Sequence, residues 1–566
     1  MNLSMHLRLA PLVALLALGG AGAAAAQKAA PADFDAYART ALRLFDTPGA
    51  AVAVVKDGQV VLAKGFGVRR LGEPAPVDAH TLFQIASNTK AFTTAALAML
   101  VDEKHLAWDD RVTQHLPWFQ LSDPYVTREL TLRDLLTHRS GLGLGAGDLL
   151  WYHSEYPRDT ILYRIRYAKV ASSFRSEYAY DNVLYVAAGE VIPAITGQSW
   201  EDFIRRRIFE PLGMREARLT ARNVQPDDNF AAAHAMVEGR LAVVARDTFE
   251  ATNAAGGVVA SVSDLAKWML VQLDSGRVGR AAGATGGKRL WSADRTREMW
   301  SGQTIMPLYD LPPALSTFEP TFLLYGLGWD LRDYRGHKLV THTGGVDGMT
   351  SRTLLVPDAR LGIVVLTNGE SPLSTALAWR LLDHYLKAPR TDWAGALAEF
   401  VRSREAEAKK TEAAAAASRD STSRPSLPLD RYAGRYTDQM YGDVTITQEG
   451  NRLVLRFSHS PALTGDLEHW QYDTFVARWR QKNIPDAYVT FALGPDGAIK
   501  TMEMAAMSPL ADFSYDFQDL LFTPSGSPAG PSRPAPRRRR THCPRPRRTG
   551  ANEPAAADRR ARAPRS

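Results

Sequence analysis

The run from Ala91 to Leu106 constrains this chain more than any other segment, because it is Ala, Leu and Met on nearly every side. A helix without a polar face has to be surrounded by protein, so the run predicts the buried central helix of a sizeable domain. Strand-like runs stand far off on both sides of it. Ala50 to Gly67 reads as two strands joined at Asp57-Gly58, a pair suited to a two-residue hairpin turn. Thr350 to Leu355 and Leu361 to Thr367 read as a second pair around the turn-rich Val356-Pro357-Asp358-Ala359-Arg360. Between the pairs the pattern is largely helical, including Leu132 to Thr137 and Trp200 to Arg207. Strands at both ends with helices between predict an α+β domain, an antiparallel sheet flanked by helices plus an all-helical lobe.

Past this domain, Asp392 to Ala417 turns to Ala, Glu, Lys and Arg, the composition of an exposed helix, and Ser418 to Pro428 reads as a linker. Leu429 to Phe522 shows short alternating segments, such as Val444-Thr445-Ile446-Thr447, punctuated by Gly434, Gly442, Gly450 and Gly465. That predicts a small all-β domain, an antiparallel barrel or sandwich. From Thr523 onward the chain is Pro, Ala, Gly and Arg with almost no apolar bulk, which predicts a disordered tail. The expected organisation is residues 1–26 as a leader, a main domain over 33–391, helix and linker over 392–428, the β domain over 429–522 and the tail over 523–566.

Met1 to Gln27 puts Arg8 before the apolar Leu9 to Leu18 and closes on Ala24-Ala25-Ala26, the order of a secretory signal peptide cut before Gln27. Its apolar part is short against the ~30 Å of a bilayer core, so no transmembrane anchor is expected after signal removal. The expected location is periplasmic or secreted. The single cysteine, Cys543, excludes an internal disulfide. The tail's 12 Arg against Glu553 and Asp558 exceed the chain's net +7 and leave −3 for everything before them. The body is therefore not basic, and no specific nucleic-acid partner is expected. The oligomeric state is left open.

Chemistry-bearing residues fall in three places. Ser87-Asn88-Thr89-Lys90 precedes the central helix, which sets Ser87 and Lys90 three apart on one helical face. A serine hydroxyl is inert without a base, and a neighbouring lysine can stabilise a phenolate or, as the free amine, accept the serine proton. Tyr180-Asp181-Asn182 reads as a loop feeding the apolar Val183 to Ile192. Tyr180 is either core or a phenol whose pKa of about 10 is lowered by Lys90 so that it acts as base toward Ser87. Asn182 offers an amide to Lys90 and to a substrate. His342-Thr343-Gly344-Gly345 falls just before the Thr350 strand. An edge strand there would line a cleft, with Gly344 and Gly345 permitting close approach; the plain alternative is a turn with an exposed histidine.

Ser-x-x-Lys, Tyr-x-Asn and a His-Thr-Gly triplet in this order resemble the class C β-lactamase family, which also contains D-aminopeptidases, D,D-peptidases and esterases. The connecting segments agree: Thr131-Leu132-Arg133-Asp134-Leu135-Leu136-Thr137-His138-Arg139-Ser140-Gly141-Leu142, Ala254-Ala255-Gly256-Gly257 and Tyr325-Gly326-Leu327-Gly328-Trp329. The resemblance spans roughly Phe34 to Lys387, and Leu429 to Phe522 resembles the small β domain of unknown function that often follows such domains. It implies Ser87 as nucleophile, Lys90 and Tyr180 as its activating pair, and Asn182 as a partner of Lys90 and substrate. His342 and Thr343 would line the opposite wall, and the backbone N–H groups of Ser87 and Gly345 would form the oxyanion hole. An acyl-Ser87 intermediate released by water follows, with no metal or organic cofactor. His138 with Gly141 reads as a helix end, and Trp329 as cleft wall or core.

Archetypal β-lactamases have lysine where this chain has His342. A histidine of ordinary pKa, about 6.5, is mostly neutral at pH 7 and gains charge on acidification. The expected function is an exported serine hydrolase cleaving amide, peptide or ester bonds of a small-molecule or peptide substrate, including D-amino acid peptides derived from the cell wall. The alternatives are a β-lactamase or D,D-carboxypeptidase proper, and a non-catalytic penicillin-binding or signalling protein.

Overall fold

The computed structural model describes residues 30–525 except 226, 280–286 and 309. The expected signal peptide, Cys543 and the tail beyond Ser525 lie outside the described residues. Strand β1 (Gly49–Lys56) pairs antiparallel with β2 (Gln59–Gly67), Lys56 opposite Gln59 across the Asp57-Gly58 turn. The short strands β3 (Thr304–Ile305) and β4 (Leu323–Tyr325), then β5 (Asp330–Tyr334), β6 (His337–Val346), β7 (Met349–Val356) and β8 (Leu361–Thr367) complete an eight-stranded sheet, ordered β2-β1-β8-β7-β6-β5-β4-β3. Ala50 of β1 lies opposite Thr367 of β8, so the two ends of the body share one sheet. Flanked on both sides, β1 is apolar at every position but its last and buried almost throughout.

Both faces of the sheet are covered. Helices α1 (Phe34–Leu44), α5 (Leu373–Tyr385) and the first turns of α6 (Trp393–Ala417) pack with Ala50, Val52 and Val54 on one face. On the other face, Ala51, Ala53 and Val55 meet the helical lobe, with α2 (Lys90–Asp102), α3 (Asn182–Thr196) and α4 (Val262–Leu273). Helix α2 is buried from Lys90 to Leu100, as its composition requires. It ends at Asp102 rather than Leu106, because Asp102-Glu103-Lys104-His105 brings the chain to solvent and Lys104 turns to positive φ. The helix begun at Trp200 gives way after Ile204 to a π-helical turn, Arg205–Phe209.

The C-terminal strands β9 (Gly434–Asp438), β10 (Gly442–Glu449), β11 (Arg452–Phe457), β12 (Thr464–Gln471), β13 (Thr474–Trp479), β14 (Ala487–Leu493), β15 (Ile499–Ala506) and β16 (Leu521–Pro524) form a closed antiparallel barrel. Closure comes from β9 pairing with β16, Tyr436 opposite Pro524 and Thr437 opposite Thr523, which carries the β unit past Phe522. Barrel residues such as Tyr436, Val444 and Phe475 belong to the same hydrophobic cluster as the helical lobe. No described helix is long and apolar enough to cross a membrane.

Candidate active site

Ser87 sits in a 3-10 turn, Ala86–Thr89, that opens directly into α2. Ala86 has φ 46°, in the left-handed region where a non-glycine residue is strained, and such strain clusters at functional sites. The turn is held from several directions. Ile85 N donates to Val258 O at 3.0 Å, and Val258 N donates to Thr89 Oγ1 at 3.1 Å. Asn88 Nδ2 donates to Ser351 Oγ at 2.8 Å, which in turn donates to Ile85 O at 2.7 Å.

Lys90, fully buried, places Nζ 3.0 Å from Ser87 Oγ, 2.7 Å from Asn182 Oδ1 and 3.1 Å from Ala255 O. Burial pushes its pKa down to about 7 against the opposing pull of Asp148 and Asp181. Amine and ammonium are then both populated near neutral pH. As the amine, Lys90 keeps N–H donors for Asn182 and Ala255 and turns its lone pair to Ser87.

Tyr180 lies just before α3, whose first N–H groups are capped by the Asp181 carboxylate. Its phenol hydrogen-bonds with Ser87, and its ring centroid is 4.7 Å from Lys90 Nζ. The lowered phenol pKa expected from the sequence is not what this site produces. Burial pushes Tyr180 well above the usual 10, opposed by its Ser87 hydrogen bond. Tyr180 is therefore a neutral phenol, since removing water penalises the phenolate more than the Ser87 hydrogen bond favours it. Asn182 lines the cleft with its amide engaged at both ends, on Lys90 and, through Nδ2 at 2.9 Å, on Asp148 Oδ2.

The opposite wall is β6. Thr343 and Gly345 are exposed toward the cleft, whereas His342 and Gly344 are buried. A Cβ on Gly344 would lie 2.1 Å from Ile85 O and 2.4 Å from Ser351 Oγ, so only glycine lets β6 come this close to the Ser87 turn. A Cβ on Gly345 would meet nothing within 4 Å. His342 Nδ1 donates to Thr343 O at 2.6 Å, which leaves Nε2 to accept from the Tyr325 hydroxyl at 3.0 Å. Burial, then the Lys90 charge, push its pKa down to about 3. The ordinary, titrating histidine expected from the sequence is thus corrected to one held neutral, and neither an exposed side chain nor a plain turn is found there.

Three contributors escaped the sequence reading. His138 does follow a short helix, Leu132–Leu136, at φ 54°. Its buried ring, however, packs 4.2 Å from that of Tyr180, and its Nδ1 accepts the Asp181 N–H at 3.1 Å, so it props the tyrosine. Tyr325 orients His342. Asp148 accepts from Asn182, from Trp151 Nε1 at 2.8 Å and from Ser514 Oγ at 2.9 Å, while burial pushes its pKa up to about 7. No local pattern marks Asp148, because Ser514 is 366 residues away. Trp329 is core, with no exposed surface. The cleft holds about 840 Å³ and takes in Ser87, Tyr180, Asn182, His342, Thr343 and Gly345. Gly344 lies behind them against Ile85. Among the described residues no group of His, Cys, Asp and Glu is placed to hold a metal ion.

The Beta-lactamase family matches residues 34–387, and the family described as Domain of unknown function (DUF3471) matches residues 418–524. Unguisins hydrolase ungD of Aspergillus violaceofuscus is 28% identical over 505 residues, covering 82% of this chain and 86% of that protein. Unguisins hydrolase ungD' of Aspergillus campestris is 30% identical over 448 residues, covering 75% and 79%. Protein flp of Staphylococcus aureus is 26% identical over 342 residues, 60% of this chain and 62% of its own. The fold is shared with the octameric penicillin-binding protein homologue from Pyrococcus abyssi, at TM-score 0.54 and 24% identity, over 84% of this chain and 98% of that one. It is shared also with SurE, at TM-score 0.51 and 20% identity, over 88% and 99%. With the first family match running from α1 through the Ser87 turn and β6 to the end of α5, this chain belongs to the beta-lactamase family of hydrolases.

Proposed function

We propose that this protein is a serine hydrolase that cleaves amide, peptide or ester bonds through an acyl intermediate on Ser87. The observation behind this reading is Lys90, bonded at once to Ser87, Asn182 and Ala255 with a pKa near 7. Ser87 Oγ bonds to the substrate carbonyl carbon while its proton passes to the Lys90 amine. The N–H groups of Ser87 and Gly345 receive the charge that develops on the carbonyl oxygen. As the C–N or C–O bond breaks, Tyr180 gives its phenolic proton to the leaving group and regains one from the Lys90 ammonium. Water then attacks the acyl carbon, its proton returning through Tyr180 to Lys90, and Ser87 is released with its proton restored.

Charge in the cleft favours neutral or cationic substrates. His342 offers no fixed positive charge, and Asp347 and Asp512 line the cleft together with the exposed Lys482 and with Glu370, whose carboxyl burial pushes up to about 7 so that it adds full negative charge only above neutral pH. This disfavours carboxylate-bearing antibiotics and supports peptides, amides or esters, D-amino acid derivatives among them. The hydrolases named for unguisins are the relatives that support hydrolysis. The residue order of positions 1–26 further supports export to the periplasm or medium. A turnover screen with nitrocefin, p-nitrophenyl esters and D-amino acid amides tests the reading. Ester or amide turnover exceeding nitrocefin turnover, all lost in Ser87→Ala, is expected; turnover retained in Ser87→Ala contradicts it.

A further inference from the structure

The barrel reaches the catalytic residues. Between β15 and β16 the chain from Ser508 to Tyr515 lines the same cleft as Ser87. The ring of Phe513 stands edge-on to that of Tyr180, 5.9 Å between centroids at 75°. Ser514 Oγ donates to Asp148 Oδ2, the oxygen that also accepts from Asn182 Nδ2, and Asn182 Oδ1 accepts from Lys90. One hydrogen-bonded chain therefore links the barrel to the catalytic lysine. The docking is tight and specific. The Asp516 carboxylate accepts from Gly147 N at 2.9 Å and Leu149 N at 3.1 Å. A Cβ on Gly145 would lie 2.8 Å from both the Phe513 ring and its carbonyl oxygen, and Gly145 N donates to Tyr180 O at 2.8 Å.

We propose that the C-terminal β domain is a working half of the active site: Phe513 selects an apolar substrate group beside Tyr180, and Ser514 positions the Asn182–Lys90 pair through Asp148. This rests on the hydrolase reading of Ser87. Phe513 is 39% exposed although it packs on Tyr180, so an apolar face remains open to a ligand. Ser514 is buried, and its hydroxyl favours the ionised form of Asp148. The titratable groups acting on Asp148 and Lys90 are each other, Asp181 and Asp516, the last two pushed well above the usual carboxylate range by burial; His138, His342, Tyr180 and Tyr185 stand around them. Removing the Ser514 hydroxyl weakens the carboxylate that holds the proton on Lys90, so Lys90 deprotonates at lower pH.

The full-length protein and its Phe513→Ala, Phe513→Leu, Ser514→Ala and Ser514→Thr variants are compared on p-nitrophenyl acetate and p-nitrophenyl phenylacetate. In Phe513→Ala the phenylacetate-to-acetate ratio of kcat/KM falls about tenfold, mostly through KM, as loss of one aromatic contact surface implies, and Phe513→Leu restores part of it. In Ser514→Ala the midpoint of the pH–rate profile on acetate moves down by about half a unit, the size expected from one lost hydrogen bond, and Ser514→Thr restores it. An unmoved ratio in folded Phe513→Ala overturns the selection role, and an unmoved midpoint in folded Ser514→Ala overturns the positioning role. If the parent cleaves neither ester and Ser87 takes no fluorophosphonate label, the hydrolase reading fails and the proposal falls with it. Activity in the parent with both readouts unmoved overturns the proposal alone.

Discussion

Lys90 sets the proton balance of the site, and its depressed pKa fixes a sign. Below about pH 7 it is an ammonium and cannot take the Ser87 proton; above, the amine is available. Acylation by a neutral ester is therefore expected to rise with pH through a midpoint near 7 and then level off, measured by stopped-flow release of p-nitrophenol. A rate still climbing above about pH 9 would point instead to a Tyr180 phenolate as the base. Tyr180→Phe keeps the ring against His138 and Lys90 but removes the proton carrier, so the rate falls by about 100- to 10,000-fold. His342 makes a negative prediction of equal use. With its pKa near 3, His342 stays neutral between about pH 8 and 5.5, so the pH dependence of the carboxylate-to-neutral affinity ratio, which Lys90 and Glu370 still set, is the same in His342→Gln as in the parent.

At the scale of elements, the site depends on how closely β6 approaches the turn before α2. Gly344→Ala drives a methyl into Ile85 O, so β6 or the turn has to move; a stability loss of about 1 to 3 kcal/mol in urea unfolding and a lower kcat are expected together. The short helix Leu132–Leu136 depends on buried Asp134, which accepts from Thr131, from Arg139 Nε at 2.8 Å and from Arg175 Nη2 at 2.6 Å. Asp134→Ala leaves the partly buried Arg139 guanidinium without its carboxylate while the more exposed Arg175 stays hydrated, and costs about 1 to 3 kcal/mol, read by the same urea titration. These elements differ in how far the sequence revealed them. Both strand pairs around the sheet were legible because short β-prone apolar runs meet strong turn signals at Asp57-Gly58 and Pro357-Asp358. The short strands Thr304–Ile305, at the sheet edge, and Leu323–Tyr325, next to it, were not, being too short to show any period. Ser87, Lys90, Tyr180 and Asn182 were legible as residues, but their protonation states were not. Those follow from burial, which only the packed lobe determines.

The whole molecule is more unified than its sequence suggests. A linker-like stretch and a composition change mark off the β domain, yet its aromatic interior runs into the helical lobe as one cluster, and its Ser508–Tyr515 segment enters the cleft. Those contacts join segments hundreds of residues apart, for which no local pattern exists. Calorimetry is expected to show one cooperative unfolding transition for body and barrel; two well-separated transitions would contradict the shared core. The central claim, that this fold makes and breaks an acyl bond on Ser87, has its most direct test in peptide-mapping mass spectrometry. The protein is mixed with a slowly released acyl donor, quenched in acid within a turnover and digested. The expected result is one adduct of the acyl mass on the Ser87 peptide, absent from Ser87→Ala that still unfolds like the parent. An adduct on another residue, or an equal adduct on Ser87→Ala, would contradict the assignment.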